Sequence, residues 1–107
     1  MNLQLERKIC KLISEHNILV FMKGHKLMPM CGFSNTVIQI LNRFSIDYHT
    51  INVLEDEEIR QGIKIYSKWP TIPQIYINGE FIGGSDILLD LYGTSKLQEI
   101  LEKAINS

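Results

Sequence analysis

The feature that most constrains how this chain folds is "ILVFM", a run of five apolar residues at positions 18–22. A short apolar run that is partly β-branched is typical of a buried strand. Apolar residues recur at helical spacing before it, over residues 3–15, and again after it. The beginning of the chain therefore predicts a helix, a buried strand and a second helix. The apolar face of that second helix is predicted to comprise Phe33, Val37, Ile40, Leu41 and Phe44.

The rest of the chain continues the alternation of strands and helices. Residues 47–53 alternate enough to form a strand, and the acidic residues 55–58 open a third helix, where they suit the positive end of its dipole. Asn78-Gly79 then predicts a β-hairpin, because a type I′ turn needs positive φ at both central residues. Ser85 and Asp86 offer an N-cap for a fourth helix, and a fifth helix follows.

The predicted order is α-β-α-β-α-β-β-α-α. The first two strands are joined by a helix and should be parallel through a right-handed crossover, whereas the hairpin adds an antiparallel pair. The sequence therefore predicts an α/β protein with a thioredoxin-like fold. Its four-stranded mixed sheet should be flanked by helices on both faces.

Length and composition limit the classes of function. The 107 residues suggest a single domain, residues 1–107, with a modest core. The net charge is -1 without a basic block, so we expect no nucleic-acid partner. No apolar run approaches the ~20 residues that span a bilayer, and no signal peptide is recognisable, so we expect no membrane association. Two cysteines do not form the disulfide framework of a secreted domain, which favours a reducing intracellular compartment.

Cys31 is the candidate reactive residue. It lies at the start of the second helix, where free backbone N–H groups and the helix dipole favour an anion and lower a thiol pKa. Lys23 adds a positive neighbour. Ser34 stands where a Cys-x-x-Cys enzyme has its second thiol, and a hydroxyl does not resolve a mixed disulfide. Either an outside thiol resolves the intermediate or the thiolate serves another purpose. Cys10 falls within the first helix, close to its apolar stripe, and is predicted to be a packing residue.

Two further segments suggest a binding site for a peptide with a carboxylate. Pro73 precedes a strand and is a candidate cis proline; a cis bond would turn the Ile72 backbone towards Cys31, where an extended peptide can pair with it. The turn "GGSD" at positions 83–86 offers free N–H groups that suit an anion, or it is an ordinary glycine-rich turn. Lys23 and Arg60 are candidates for further carboxylate partners. Taken alone, each of them is typical of a solvated surface charge.

Taken in order, the segments "FMKG", "PMCGFS" and "WPTIPQIYINGEFIGGSD" resemble the monothiol glutaredoxins of the CGFS class over nearly the whole chain. The resemblance implies a thioredoxin fold with a cis Pro73 and a bound glutathione. It places Cys31 opposite the glutathione sulfur, and Lys23 and Arg60 on its glycine carboxylate. Backbone pairing of the glutathione cysteinyl unit falls to Ile72.

The same resemblance assigns the remaining site residues. Ser85 and Asp86 match the positions that hold the γ-glutamyl end, and Phe33 lies beside the thiol. One departure is visible, because many members of the class carry a second cysteine in the Gly-Gly turn, and Ser85 stands there in this chain. The usual candidate for an intramolecular disulfide with Cys31 is therefore missing.

Members of this class bind a [2Fe-2S] cluster between two subunits and pass it to acceptor proteins. Such a cluster takes four thiolates, whereas this chain offers one well-placed cysteine. In each subunit, Cys31 would serve as one metal ligand and a glutathione thiol beside it as another. Two subunits therefore supply the four thiolate ligands. The leading hypothesis is thus a carrier of iron-sulfur clusters with glutathione as co-ligand, working as a cluster-bridged homodimer.

Two alternatives remain open at this point. The protein is a glutathione-dependent oxidoreductase with weak activity that deglutathionylates proteins, or it is a regulatory module that binds a BolA-like partner. The sequence does not separate the cytoplasm from the matrix of a mitochondrion or plastid as the compartment.

Overall fold

The computed structural model describes residues 1–106. The helices of these residues are α1 (Leu3–Glu15), α2 (Gly32–Leu41), α3 (Glu57–Ser67), α4 (Ser85–Gly93) and α5 (Lys96–Asn106). The strands are β1 (Ile18–Met22), β2 (Gly24–His25), β3 (Met28–Pro29), β4 (His49–Asn52), β5 (Gln74–Ile77) and β6 (Glu80–Gly83). A 3₁₀ turn, Val53–Glu55, precedes α3. The predicted order of elements is confirmed, with β2 and β3 as a small hairpin that the sequence did not predict.

The main sheet has the order β4-β1-β5-β6. Strand β1 runs parallel to β4 and antiparallel to β5, and β5 pairs with β6 in an antiparallel hairpin. Asn78 and Gly79 turn this hairpin with φ values of 54° and 82°, as the sequence predicts. The predicted thioredoxin-like fold with a four-stranded mixed sheet is therefore confirmed.

Strand β1 is the centre of two apolar cores, because all five of its residues are buried. On one face its Ile18, Val20 and Met22 belong to a cluster with buried residues of α2, α4 and α5. On the other face, Leu19 and Phe21 pack in a second cluster with residues of α1 and α3. Helices thus cover both faces of the sheet, which explains why β1 reads as an uninterrupted apolar run.

Three details of the sequence-based prediction are wrong. The face of α2 includes Val37, Ile40 and Leu41 as predicted, but the helix ends at Leu41, before Phe44. Phe33 lies in the first turn of α2 and borders a surface cavity, so its side chain stays 64% exposed. The N-cap of α4 is Gly84, and Ser85 is instead the first helical residue, with its side chain buried.

Over residues 1–106, no helix combines the length and the apolar character that crossing a bilayer requires.

The small β2–β3 hairpin fills the loop between Lys23 and Cys31, and side chains from β4 and its surroundings hold it. The Gly24 amide donates to Oδ1 of Asn52 at 2.9 Å. The Lys26 ammonium donates to the Tyr48 carbonyl and lies 4.0 Å from the centre of its ring. Within the hairpin, Gly24 has φ +94°, and a Cβ there would come within 2.5 Å of the Met28 carbonyl oxygen. Only glycine fits this position.

We predict that Gly24→Ala lowers the free energy of unfolding by roughly 3 kcal/mol, because a left-handed backbone cost and a clash with main-chain atoms add up. Gly79→Ala is the matched control, since Gly79 has φ +82° but a Cβ added there would meet no surrounding atom within 4 Å. This control should lose only about 1 kcal/mol, the cost of the backbone conformation alone. Urea denaturation measures both, and equal losses would contradict the role given to the close approach at Gly24.

Candidate functional site

A surface cavity of about 500 Å³ opens where β1 ends. Its lining residues come from the end of β1, the start of α2, α3, the segment before β5 and the start of α4. They are Lys23, Cys31, Phe33, Lys64, Trp69, Pro70, Thr71, Ile72, Pro73, Gly84, Ser85, Asp86 and Ile87. The fold therefore gathers into one cavity every site residue predicted from the sequence except Arg60.

Cys31 is the N-cap residue of α2 and is partly exposed to solvent. Burial raises the pKa of its thiol, but several neighbours outweigh this effect and hold the pKa below its ordinary value. These neighbours are the backbone amides of Ser34 and Phe33, the Ser34 hydroxyl and the positive charge of Lys23. The thiolate is consequently favoured at a position that solvent and ligands reach, as nucleophilic attack or metal ligation requires.

Ser34 is fully buried, so its role is structural as well as electrostatic. Its Oγ accepts a hydrogen bond of 3.2 Å from the Lys23 amide, which joins the end of β1 to the first turn of α2. The same hydroxyl stabilises the Cys31 thiolate. Ser34 thus fixes the relative positions of the two residues, Lys23 and Cys31, that the sequence singles out.

The positive charges at the cavity differ from the predicted pair. Lys23 lines it, but Arg60 does not, and the Arg60 Nη1 lies 3.4 Å from Oε2 of Glu57. The Arg60 Nε is buried without a hydrogen-bond partner among the described residues. Lys64 lies one turn further along α3 and lines the cavity, although no sequence motif predicted a role for it. Its spacing of four residues from Arg60 is the signal that would have found it, because such residues share a helix face.

One wall of the cavity is the segment from Trp69 to Pro73, which connects α3 to β5. The Ile72–Pro73 peptide bond is cis. The Trp69 ring lies edge-on to Phe81, with their centroids 5.6 Å apart, so it packs against β6 while it also borders the cavity. Gln74 follows this wall and is fully buried, although no sequence motif predicted a role for it. A polar residue at the start of an otherwise apolar strand was the available signal.

The start of α4 forms a further part of the cavity. Gly84 lies so close to the wall that a Cβ there would be 3.3 Å from the Pro73 carbonyl oxygen. This approach brings Ser85 and Asp86, in the first turn of α4, to the cavity. Free N–H groups of a helix N-terminus favour anions. The exposed Asp86 carboxylate adds a negative charge beside them.

The second cysteine lies outside the cavity. Cys10 is exposed on α1 with its Sγ 3.9 Å from the Tyr66 hydroxyl, so the prediction that it is a packing residue is wrong. Its position on the helix is next to the buried Ile9, just off the apolar stripe. Across the described part of the chain, no group of three or more histidine, cysteine or acidic residues is arranged to hold a metal ion.

Comparison with known proteins identifies relatives of this chain. The family profile "Glutaredoxin" matches residues 18–82. The chain is 58% identical over 107 residues to an uncharacterised monothiol glutaredoxin (ycf64-like) of the cyanobacterium Synechocystis, and the match covers all of both chains. Other relatives bear names that place them in chloroplasts or mitochondria.

Solved structures agree with this assignment. Reduced apo GrxS14 from poplar superposes with a TM-score of 0.83 at 48% identity, covering 96% of this chain and 94% of that one. A buckwheat glutaredoxin–glutathione complex superposes with a TM-score of 0.84, covering 97% of this chain and 96% of that one. Its 23% identity supports the shared fold alone. From the matched family profile and the relatives along its whole length, this chain belongs to the glutaredoxin family, among the monothiol glutaredoxins.

Proposed function

We propose that the protein binds glutathione in this cavity and that two chains together carry a [2Fe-2S] cluster to acceptor proteins. The observation that carries the proposal is Cys31, a partly exposed thiol of lowered pKa in a cavity that also offers cations and a helix N-terminus. The poplar and Synechocystis relatives support it by family, and the buckwheat complex adds that a protein of the same fold binds glutathione.

Glutathione matches the charges of the cavity. The tripeptide has two carboxylates, one ammonium group and one thiol. Lys23 and Lys64 suit one carboxylate, and the free N–H groups at the start of α4, next to Ser85, suit the other. The Asp86 carboxylate is the matching partner for the ammonium group. With these ends bound, the glutathione thiol is left for the Cys31 side of the cavity, where Phe33 supplies apolar surface.

The wall supplies main-chain partners for the middle of the ligand. Ile72 precedes the cis Pro73, and both line the cavity, so an extended peptide can pair with the Ile72 backbone. Arg60 stays a proposed partner of the glycine carboxylate. To reach it, the guanidinium must leave Glu57, whereas Lys64 already borders the cavity.

The cluster is the cargo of this site, and its ligand requirement explains the need for glutathione. A [2Fe-2S] cluster takes four thiolates, but Cys31 has no second cysteine beside it and belongs to no metal-binding group within residues 1–106. Two chains and two glutathione molecules complete the set. Two of the four ligands are then small and dissociable, which suits a protein that gives its cluster away.

The lowered pKa of Cys31 also favours a second function, the reduction of glutathione mixed disulfides. In this reaction the Cys31 thiolate attacks the glutathione sulfur, the protein substrate leaves as a thiolate, and a second glutathione resolves the new disulfide. Ser34 is buried and bonded to the Lys23 amide, so it takes no part in resolution. We propose that this activity is secondary to cluster transfer. The compartment that we propose is the reducing interior of a cell or organelle. Binding of a BolA-like protein stays a prediction.

We predict that anaerobic reconstitution with iron, sulfide and glutathione yields a coloured dimer, because the cluster needs a thiolate from each chain and from each glutathione. Cys31→Ser should bind at most about a tenth as much cluster as the wild type, because mutation of even an outer-shell partner of a metal ligand lowers metal affinity at least about tenfold. Visible absorption and size-exclusion chromatography measure cluster and dimer together.

Cys10→Ser is the matched control for this experiment, since Cys10 is exposed on α1 away from the cavity. It should bind as much cluster as the wild type. Equal loading of the Cys31→Ser variant, or loading that does not depend on glutathione, would refute the carrier function.

The alkylation rate of Cys31 should report the groups that lower its pKa. In a Cys10→Ser background, the rate rises with pH as the thiol ionises. Lys23→Met removes a positive charge that lowers the pKa, so the inflection should move to higher pH. Lys64→Met removes the same charge from another point of the cavity and should leave the inflection in place. Identical shifts in both variants would contradict the specific effect of Lys23.

The second function predicts measurable turnover of a glutathione mixed disulfide coupled to glutathione reductase. Cys31→Ser should reduce the rate to background, a loss of at least about 100-fold, because no other cavity residue supplies a nucleophilic thiol. The Cys10→Ser variant serves again as the control with unchanged rate. Wild-type turnover that equals the background would exclude this activity.

A further inference from the structure

The Trp69 amide, at the start of the cavity wall, donates to the Lys64 carbonyl and to the Ser67 hydroxyl, but the part of the wall from Pro70 to Pro73 needs support that its own backbone does not provide. Pro70 and Pro73 have no N–H group to donate. Within residues 1–106, no loop or turn hydrogen bond between backbone groups involves residues 70–73. The main chain that would pair with glutathione is therefore held by other means.

The buried side chain of Gln74 provides this support. Its Nε2 donates to the carbonyl oxygen of Trp69 at 3.1 Å and to that of Thr71 at 3.3 Å. Both hydrogens of the amide are thus used on two carbonyls of the wall, on either side of Pro70. Its Oε1 accepts a hydrogen bond of 3.3 Å from the Tyr76 hydroxyl.

Tyr76 anchors this network in the core. Its ring lies 5.6 Å from that of Phe21 and 5.3 Å from that of Phe81, measured between centroids, and it is almost fully buried. Burial raises the pKa of the Tyr76 hydroxyl far above its ordinary value, so the hydroxyl remains a donor to Gln74. The Gln74 amide is therefore held by Tyr76 of the sheet, and it in turn holds the carbonyl groups of the wall.

A buried amide costs free energy unless it forms hydrogen bonds, and an apolar side chain would fill the same space without that requirement. We infer that Gln74 is a positioning residue, which holds the segment from Trp69 to Pro73 in the shape that binds glutathione. The inference rests on the proposed function, because it takes glutathione as the ligand of the cavity.

This role has a signature that distinguishes it from a general loss of structure. The groups that lower the Cys31 pKa are the amides at the start of α2, the Ser34 hydroxyl and Lys23. Gln74 donates to none of them. Loss of the Gln74 amide should therefore weaken glutathione binding while the pH dependence of Cys31 alkylation stays the same.

The test is Gln74→Met, which keeps the length of the side chain and removes its amide. The dissociation constant of glutathione, measured by calorimetry, should rise roughly tenfold. The fluorescence of Trp69, the sole tryptophan of the chain, should also change, because its carbonyl loses a hydrogen bond. Alkylation of Cys31 as a function of pH should match the wild type.

Ile18→Val is the matched control for destabilisation, since it removes a buried methylene group at the other end of β1 from Lys23. It should leave glutathione affinity unchanged. Tyr76→Phe is a second test that keeps the ring and removes one hydrogen bond to Gln74, and it should weaken binding roughly threefold. This variant decides the question if Gln74→Met does not fold.

Wild-type affinity in both variants, with glutathione bound normally by the wild-type protein, would overturn the positioning role and leave the proposed function intact. A parallel change in the alkylation profile would also overturn it, because the amide would then act on the thiol. Absence of glutathione binding by the wild type would overturn the proposed function and this inference with it.

Discussion

The burial of β1 on both faces of the sheet is the constraint on which the rest of the structure depends. Its side chains belong alternately to two cores, so α1 and α3 cover one face and α2, α4 and α5 cover the other. The strand has no freedom to shift by one residue, because that would exchange its two apolar sets between differently shaped cores. Lys23 follows the strand directly, and the Ser34 hydroxyl ties its amide to α2. The thiol at the start of α2 is therefore placed by the central strand.

Ser34 is a single residue that has both a structural role and a role in the reactivity of Cys31. In a Cys-x-x-Cys protein, the residue at this position resolves the mixed disulfide. In this chain its hydroxyl is buried, accepts from Lys23 and stabilises the Cys31 thiolate. The Cys31 thiolate therefore stays reactive, and Ser34 cannot form a disulfide with it. Both proposed functions need this combination, since a metal ligand and a nucleophile must each be ionised and free of an intramolecular disulfide.

Much of the fold follows from the sequence, because apolar periodicity and the Asn78-Gly79 turn are local signals. Periodicity misplaces Phe33, because it shows which residues share a helix face but not where the sheet beneath that face ends. The choice between Arg60 and Lys64 has the same origin. Both lie on α3 with helical spacing, and which one borders the cavity depends on the position of α3 against the wall and on the pairing of Arg60 with Glu57. Tertiary packing alone determines these facts.

The loop before Cys31 depends on tertiary contacts even more strongly. Oδ1 of Asn52 accepts from the amides of Gly24 and Leu54, so one side chain at the end of β4 orders both the small hairpin and the 3₁₀ turn. Lys26 reaches Tyr48, just before the same strand. None of these partners lines the cavity. The hairpin joins Lys23 to Cys31, so contacts with β4 and Tyr48 determine the path of the main chain between these two site residues. No local sequence pattern predicts this dependence, because the partners are distant in the sequence.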